Sequence, residues 1–373
     1  MKNIFFTFIV IFALSSACSK NSNSFYNLDR MIVLQTNNID DTLCGELVEF
    51  DSLINPSGIE AIDSFVVILS GQSGKLFSVY NSNSNMLVSQ FGRIGHAKNE
   101  FIDELSTCQF SYDKRNGKVD LSVQSYERNE LRVFDFSKAL AERELKLCNI
   151  IKYDCNDLGL RDHFAFYCDE NGYVVYKSIS TEGDIRDKLN VPPVICVKNG
   201  HKDAKINISP KTVESSCRDF VEILYLCFPR MKADGTKLVN VFSFTDLISI
   251  TDLNTLETTG ISCVDGRDFD FYQNIAYKSR EELFDNIVIQ NSCYNISDNY
   301  IVVCQDHKTK IDDFETMQSY DTIIRIMDWD GNLLHTFKVK EPLMRIAFTE
   351  CSKKLYGFDL EKKLYCYDLS KIL

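Results

Sequence analysis

Proline and glycine are scarce in this chain, at 6 and 16 of 373 residues, so collagen-like and low-complexity architectures are excluded. Positive charge is also short: 41 Lys+Arg stand against 53 Asp+Glu, a net charge of -12. A nucleic-acid-binding surface needs clustered Lys and Arg to displace counterions, and that balance argues against one. There is no C-x-x-C spacing, hence neither a redox dithiol nor a zinc knuckle. The five histidines (96, 163, 201, 307, 335) form no H-x-x-x-H pair, and no G-x-S-x-G elbow marks a serine hydrolase. Beyond the first residues no apolar run approaches the ~20 residues that span a bilayer.

What is present is a chain that is 45% hydrophobic and 25% charged, the profile of a globular protein. Its N-terminus reads Met1-Lys2-Asn3, an apolar run from Ile4 to Leu14, then Ser15-Ser16-Ala17-Cys18. A positive start, an apolar stretch of about a dozen residues and a small-residue exit form a secretory signal peptide. The exit resembles the lipobox of bacterial lipoproteins, with Ser15 where the pattern prefers Leu and Leu14 one place further out. That resemblance makes Cys18 the lipidated first residue of the mature chain; the alternative is a plain signal peptide with an incidental Cys. The expected organisation is therefore a signal peptide over 1–17, a lipid-anchored tether over 18–30 (Ser19 to Ser24 is wholly polar) and one folded domain over 31–373.

Thirteen cysteines follow Cys18, an odd number that cannot all pair within the chain. Several sit in apolar strand-like runs, such as Ile301-Val302-Val303-Cys304, where a free thiol acts as a small buried hydrophobe. Mostly free cysteines in an exported protein point to a poorly oxidising habitat.

Period-2 alternation dominates from about residue 30 to the end. One pattern recurs, apolar-x-apolar-x-Asp/Asn, at Phe77–Asn81, Leu131–Asp135, Ile248–Asp252, Ile324–Asp328 and Leu364–Asp368. A strand closed by an Asp or Asn can bond the backbone of the next turn. A degenerate copy near Tyr173–Lys177 fills the widest gap, and the 287 residues from Phe77 to Leu364 then give about 57 per unit. The mature length holds about six such units. Periods of this size with several short strands each point to propeller blades. The expected fold is all-β: a six-bladed β-propeller of antiparallel four-stranded blades. A short helical insertion near blades 3–4 is expected from helical spacing over Ser209–Phe228, and a helical turn from the capping box at Ser279–Glu282.

Lipobox, period and two local stretches together resemble the TolB-like six-bladed β-propeller lipoproteins of gut anaerobic bacteria. The first stretch is Phe91-Gly92-Arg93-Ile94-Gly95-His96-Ala97-Lys98-Asn99-Glu100-Phe101, similar to a family loop reading F-G-x-x-G-x-G-P-G-E-F. Phe91, Gly92, Gly95, Glu100 and Phe101 match it, and His96 to Asn99 depart from its Gly-Pro core. The second is the run from Tyr300 to Leu373, with Asp328-Trp329-Asp330-Gly331 and Lys354-Leu355-Tyr356-Gly357. The resemblance implies a cell-envelope lipoprotein anchored to the outer membrane, on its periplasmic or surface face. It brings no established activity with it.

Other constellations carry no chemistry. Gly71-Gln72-Ser73-Gly74-Lys75 lacks the spacing of a phosphate loop and reads as a turn between strands. Asp265–Asp270 and Asp312–Glu315 cluster carboxylates without the Gly and Glu spacing of a calcium loop. Arg93, His96, Lys98 and Glu100 are the charged part of the family-like loop and the candidate binding residues. No catalytic or metal-ligating residue is expected. The reading is a non-catalytic, monomeric propeller that binds an envelope protein, peptide or glycan, touches the membrane only through the lipid on Cys18, and needs no cofactor. The alternative is a metal-dependent propeller enzyme of lactonase or lyase type, acting in the central channel through inward Glu, Asp and Asn, with calcium as a possible metal.

Overall fold

A computed structural model describes residues 28–34, 39–50, 55–70, 74–102, 108–113, 117–125, 128, 130–152, 163–169, 172–177, 194–198, 201–206, 227–262, 288–310 and 322–373. Cys18, both carboxylate clusters in loops (265–270, 312–315) and the capping box at 279–282 lie outside these residues, as does 209–226 of the expected helical insertion. Cys227 and Phe228, the end of that insertion, open a strand instead.

Three short strands come first: β1 (Arg30–Val33), β2 (Asp41–Leu43) and β3 (Glu46–Leu47). Then follow β4 (Pro56–Ile62), β5 (Phe65–Ser70), β6 (Phe77–Asn81) and β7 (Leu87–Phe91), the first sheet. The second sheet is β8 (Gln109–Asp113), β9 (Lys118–Ser125), β10 (Glu130–Asp135) and β11 (Leu147–Lys152), with helix α1 (Phe136–Glu142) between its last two strands. The third is β12 (His163–Asp169), β13 (Gly172–Lys177), β14 (Val194–Lys198) and β15 (His201–Ile206). The fourth is β16 (Cys227–Met231), β17 (Lys237–Phe242), β18 (Ile248–Asp252) and β19 (Thr258–Ser262). The fifth is β20 (Val288–Ile296), β21 (Tyr300–Lys310), β22 (Thr322–Asp328) and β23 (Leu333–Val339). The sixth is β24 (Arg345–Thr349), β25 (Lys354–Phe358) and β26 (Leu364–Asp368). His307 lies within β21.

Within each sheet the consecutive strands pair antiparallel in chain order, and the first strand forms the inner edge. Neighbouring sheets touch from first to second, second to third, fourth to fifth, fifth to sixth, and sixth back to first. This is an all-β propeller with antiparallel four-stranded blades and one short helix among the described residues. Blade width is not uniform, because the N-terminal strands are shared out. β1 adds parallel to β19, β2 adds parallel to β23, and β3 pairs antiparallel with β26 (Leu47 opposite Tyr365). The fourth and fifth sheets thus gain a fifth strand, while the sixth gains its fourth. Just before β1, the Asp29 amide donates to the Thr258 carbonyl at 3.0 Å and its carboxylate accepts from the Thr258 amide at 2.7 Å, which ties the start of β1 to the fourth sheet.

The recurring pattern is the third strand of a blade. Phe77–Asn81 is β6, and the copies ending at Asp135, Asp252, Asp328 and Asp368 close β10, β18, β22 and β26. The terminal side chain turns the chain each time. Asn81 Oδ1 accepts from the amides of Asn83 (3.0 Å) and Ser84 (3.1 Å), and Asp252 Oδ1 from those of Asn254 (2.8 Å) and Thr255 (3.2 Å). Asp328 Oδ1 accepts from Asp330 (2.9 Å) and Asn332 (2.8 Å), and Asp368 Oδ1 from Ser370 (2.9 Å). At Asp135 the same bond, from the Lys138 amide at 2.8 Å, caps α1 instead of closing a hairpin. One copy was misplaced by the sequence: Tyr173–Lys177 lies in β13, a second strand, and the third strand of that sheet is β14, which ends in Lys198. A strand without the Asp carries no such mark.

The core lies between blades. Val66, Val67, Ile68 and Leu69 of β5 are all fully buried because both faces of a middle strand meet neighbours. Such a strand reads as a continuous apolar run where an edge strand alternates. Between the first two sheets pack Phe77, Phe91, Phe101, Phe110, Phe134 and Phe136. Phe136 of α1 meets Phe110 edge-on at 4.9 Å between ring centroids and Phe91 at 6.1 Å, so the helix plugs the space between these blades.

Candidate functional site: the central cavity

The first strands of all six sheets line one cavity of about 470 Å³, through Glu60 (β4), Phe110 (β8), Phe166 (β12), Arg230 (β16), Tyr294 (β20) and Arg345 (β24). That volume is in the range of small-molecule sites. The Arg230 guanidinium contacts the Glu60 carboxylate at 2.6 Å, with side-chain exposures of 21% and 6%. Asn295 Nδ2 donates to the same Glu60 oxygen at 3.2 Å, and Asn295 Oδ1 accepts from the Phe348 amide at 3.0 Å. One carboxylate therefore joins side chains or backbone from the first, fourth, fifth and sixth sheets. Arg230 also lies 5.4 Å from the Tyr294 ring centroid, and the Tyr294 hydroxyl donates to the Phe228 carbonyl. Burial disfavours the Arg230 charge, but the Glu60 charge and hydrogen bond, together with Tyr294 and Cys108, hold the guanidinium above its ordinary pKa. Burial, reinforced by the Glu60 charge, pushes the Cys108 thiol well above its usual range. A thiol held protonated is a poor nucleophile.

One end of the cavity is pinched. The Tyr112 amide donates to the Ala233 carbonyl at 2.9 Å, joining the second and fourth sheets. Its hydroxyl lies 2.9 Å from Asp63 Oδ1 and 3.2 Å from Asp298 Oδ2. Burial, and then the Asp298 charge, raises the Tyr112 pKa; burial in turn raises that of Asp298, with Glu350 and Asp63 adding to it.

The opposite end, where the inner strands begin, is bordered by Arg345 and by the β9–β10 hairpin with Gln124, Ser125, Arg128 and Arg132. Arg132 is 2% exposed. Its Nη1 donates to the Glu100 carbonyl at 2.6 Å, its guanidinium lies 5.9 Å and 5.8 Å from the Phe101 and Phe134 ring centroids, and its Nε has no hydrogen-bond partner. Burial and then the neighbouring Arg128 charge lower its pKa.

The family-like loop is tied to this end from outside. The Phe101 amide donates to the Arg93 carbonyl at 2.9 Å, and the Gly95 amide to the Phe101 carbonyl at 2.8 Å. Glu100 Oε2 accepts from the Ala97 amide at 2.9 Å. A Cβ on Gly95 would sit 2.1 Å from that oxygen, so a larger residue there would displace the Glu100 carboxylate from the loop. Arg93, His96 and Lys98 are exposed and Glu100 is half-buried. Arg93, Lys98 and Glu100 border a separate groove against Glu142–Leu145, away from the central cavity. Arg93, Lys98 and Glu100 thus border that groove, and of them only Glu100, through its carbonyl, reaches a residue of the cavity wall, Arg132. The sequence did not single out Glu60, Arg230, Asn295, Arg128, Arg132 or Arg345. The available signal was a charge inside an apolar strand, as in Leu131-Arg132-Val133.

Among the described residues no three His, Cys, Asp or Glu side chains come together as a metal site. Cys44, Cys108, Cys148, Cys227, Cys293, Cys304, Cys351 and Cys366 form no disulfide with one another. No described helix is long and apolar enough to cross a membrane.

No protein-family model matches the chain, and no curated protein matches it. Solved structures do. A protein of Bacteroides fragilis assigned to export superposes with a TM-score of 0.51 at 12% identity, over 90% of this chain and 98% of that one. A member of the DUF4221 family from Bacteroides vulgatus superposes with a TM-score of 0.54 at 10% identity, over 87% and 97%. At these identities the likeness is one of fold.

Proposed function

We propose that the protein is an exported, non-catalytic binding propeller that holds a small molecule, or the end of a peptide or glycan, in its central cavity. The observation that carries this reading is the cavity itself: all six sheets contribute to its wall, and the wall mixes apolar surface with a few converging polar groups. The six sheets are read as six blades of a closed ring, with β3 as the closing strand. The lipobox-like run to Cys18 supports a TolB-like lipoprotein on the outer membrane, and the Bacteroides fragilis neighbour, itself assigned to export, supports passage to the envelope. Within the cavity Glu60 is occupied by Arg230, and Cys108 is held as a thiol, so neither is poised as a base or nucleophile. The test is recovery of the whole protein from solubilised envelopes, followed by mass spectrometry of what denaturation releases. A compound retained near one per chain is expected. Turnover of an envelope substrate by a protein that retains nothing would favour an enzyme instead.

A further inference from the structure

The described charged groups of the cavity wall are four arginines, Arg128, Arg132, Arg230 and Arg345, against two carboxylates, Glu60 and Asp298. Glu60 is taken up by Arg230 at 2.6 Å. Asp298 lies at the pinched end, 3.2 Å from the Tyr112 hydroxyl. Arg128, Arg132 and Arg345 are left at the end where the inner strands begin, with no carboxylate ion pair among the described residues. This is a local excess of positive charge in a protein whose net charge is -12. Arg132 is almost wholly buried with its Nε unpartnered; burial and then Arg128 disfavour its charge, and Glu130, itself paired with Lys152 at 3.7 Å, offsets them only in part. Two like charges held together in a wall of Phe101, Leu131 and Phe166 cost stability to the extent that Glu130 leaves them uncompensated. Guanidinium forks match carboxylates in geometry, and a low-dielectric cleft strengthens the pairing.

We propose that the arginine-lined end of the cavity binds a small organic carboxylate, its anionic group on Arg128, Arg132 and Arg345 and its body against the Phe101 and Phe166 rings. This rests on the cavity being a ligand site and adds the charge class of the ligand. An acidic sugar and a carboxylate with an apolar or aromatic body present the same group, and the test separates them.

The experiment titrates the full chain with phenylacetate, hexanoate and glucuronate, each beside its uncharged primary amide, by calorimetry at low and high salt. At least one acid is expected to bind, with its amide at least ten-fold weaker, and with affinity falling as salt rises. The Arg128→Gln/Arg345→Gln variant, whose sites are exposed or half-exposed, should erase the difference between acid and amide while its circular dichroism stays that of the parent. Preference for phenylacetate or hexanoate assigns an apolar body, and preference for glucuronate a sugar. Amides that bind as tightly as their acids would overturn the charge assignment and leave the cavity as a ligand site. Failure of every acid to bind would also overturn it, while one retained compound per chain from envelopes would still uphold the cavity reading.

Discussion

Replacing Glu60 by Gln tests whether one buried carboxylate holds the blades in register. At 2.6 Å the Glu60–Arg230 attraction is about 6 kcal/mol for an effective dielectric of ~20. Desolvation of both groups offsets much of that, since the side chains are only 6% and 21% exposed. Breaking such a pair by removing one partner costs roughly 3–5 kcal/mol, because the other charge stays buried and uncompensated. Glu60→Gln keeps shape and one acceptor, so its cost belongs at the lower end, about 3 kcal/mol, and Arg230→Met should cost a similar amount. The double variant should lose little more than either single one, giving a coupling of about 2–3 kcal/mol. Equilibrium urea unfolding of the four proteins at neutral pH reads these values. Additivity of the two single variants to within about 0.5 kcal/mol would refute the idea that Glu60 and Arg230 act as one unit.

Three further outcomes follow from the fold. Phe136→Ala removes a 1% exposed ring that meets Phe65, Phe91 and Phe110, and should cost about 3–5 kcal/mol in the same unfolding assay. Asp328→Ala removes the acceptor of the Asp330 and Asn332 amides and should cost about 1 kcal/mol, whereas Asp330→Ala, two residues on, should cost less. Asp298 has a pKa raised above that of an unfolded Asp, so the folded state binds its proton more tightly. Its stabilising contribution is present below the unfolded pKa and is lost as pH rises through the raised folded value. Asp298→Asn should flatten that part of the stability-against-pH curve, and an unchanged slope would contradict the assignment.

Blade architecture was legible because its signal is local. A third strand that ends in Asp or Asn writes its turn into the same few residues, and the spacing of those residues gave the period. Where the mark is missing, as at Lys198 of β14, the copy was placed one strand too early. The cavity was not legible for the opposite reason. Glu60 and Asn295 are separated by 235 residues and meet only because two first strands face a common axis. Arg132 could be noticed as a charge in an apolar run, yet nothing local shows that Phe101 and Phe134 flank it. The family-like loop was found by its glycines, which report the shape of a turn: Gly95 leaves room for Glu100 to close its own loop. The distribution of β1–β3 over three sheets was invisible, since short strands carry little pattern and their partners lie far along the chain.

That distribution sets the order in which the molecule can be completed. Residues 46–47 emerge early in synthesis, but their partner strand β26 is 318 residues further on, from Leu47 to Tyr365. Joining two points so distant along a free chain costs on the order of 5 kcal/mol of loop entropy. β1 on the fourth sheet and β2 on the fifth divide that single step into shorter ones, each placing the next strand within reach of its site. The earliest residues of the body are therefore among the last to settle, and they settle like a zip drawn along the rim toward the C-terminus.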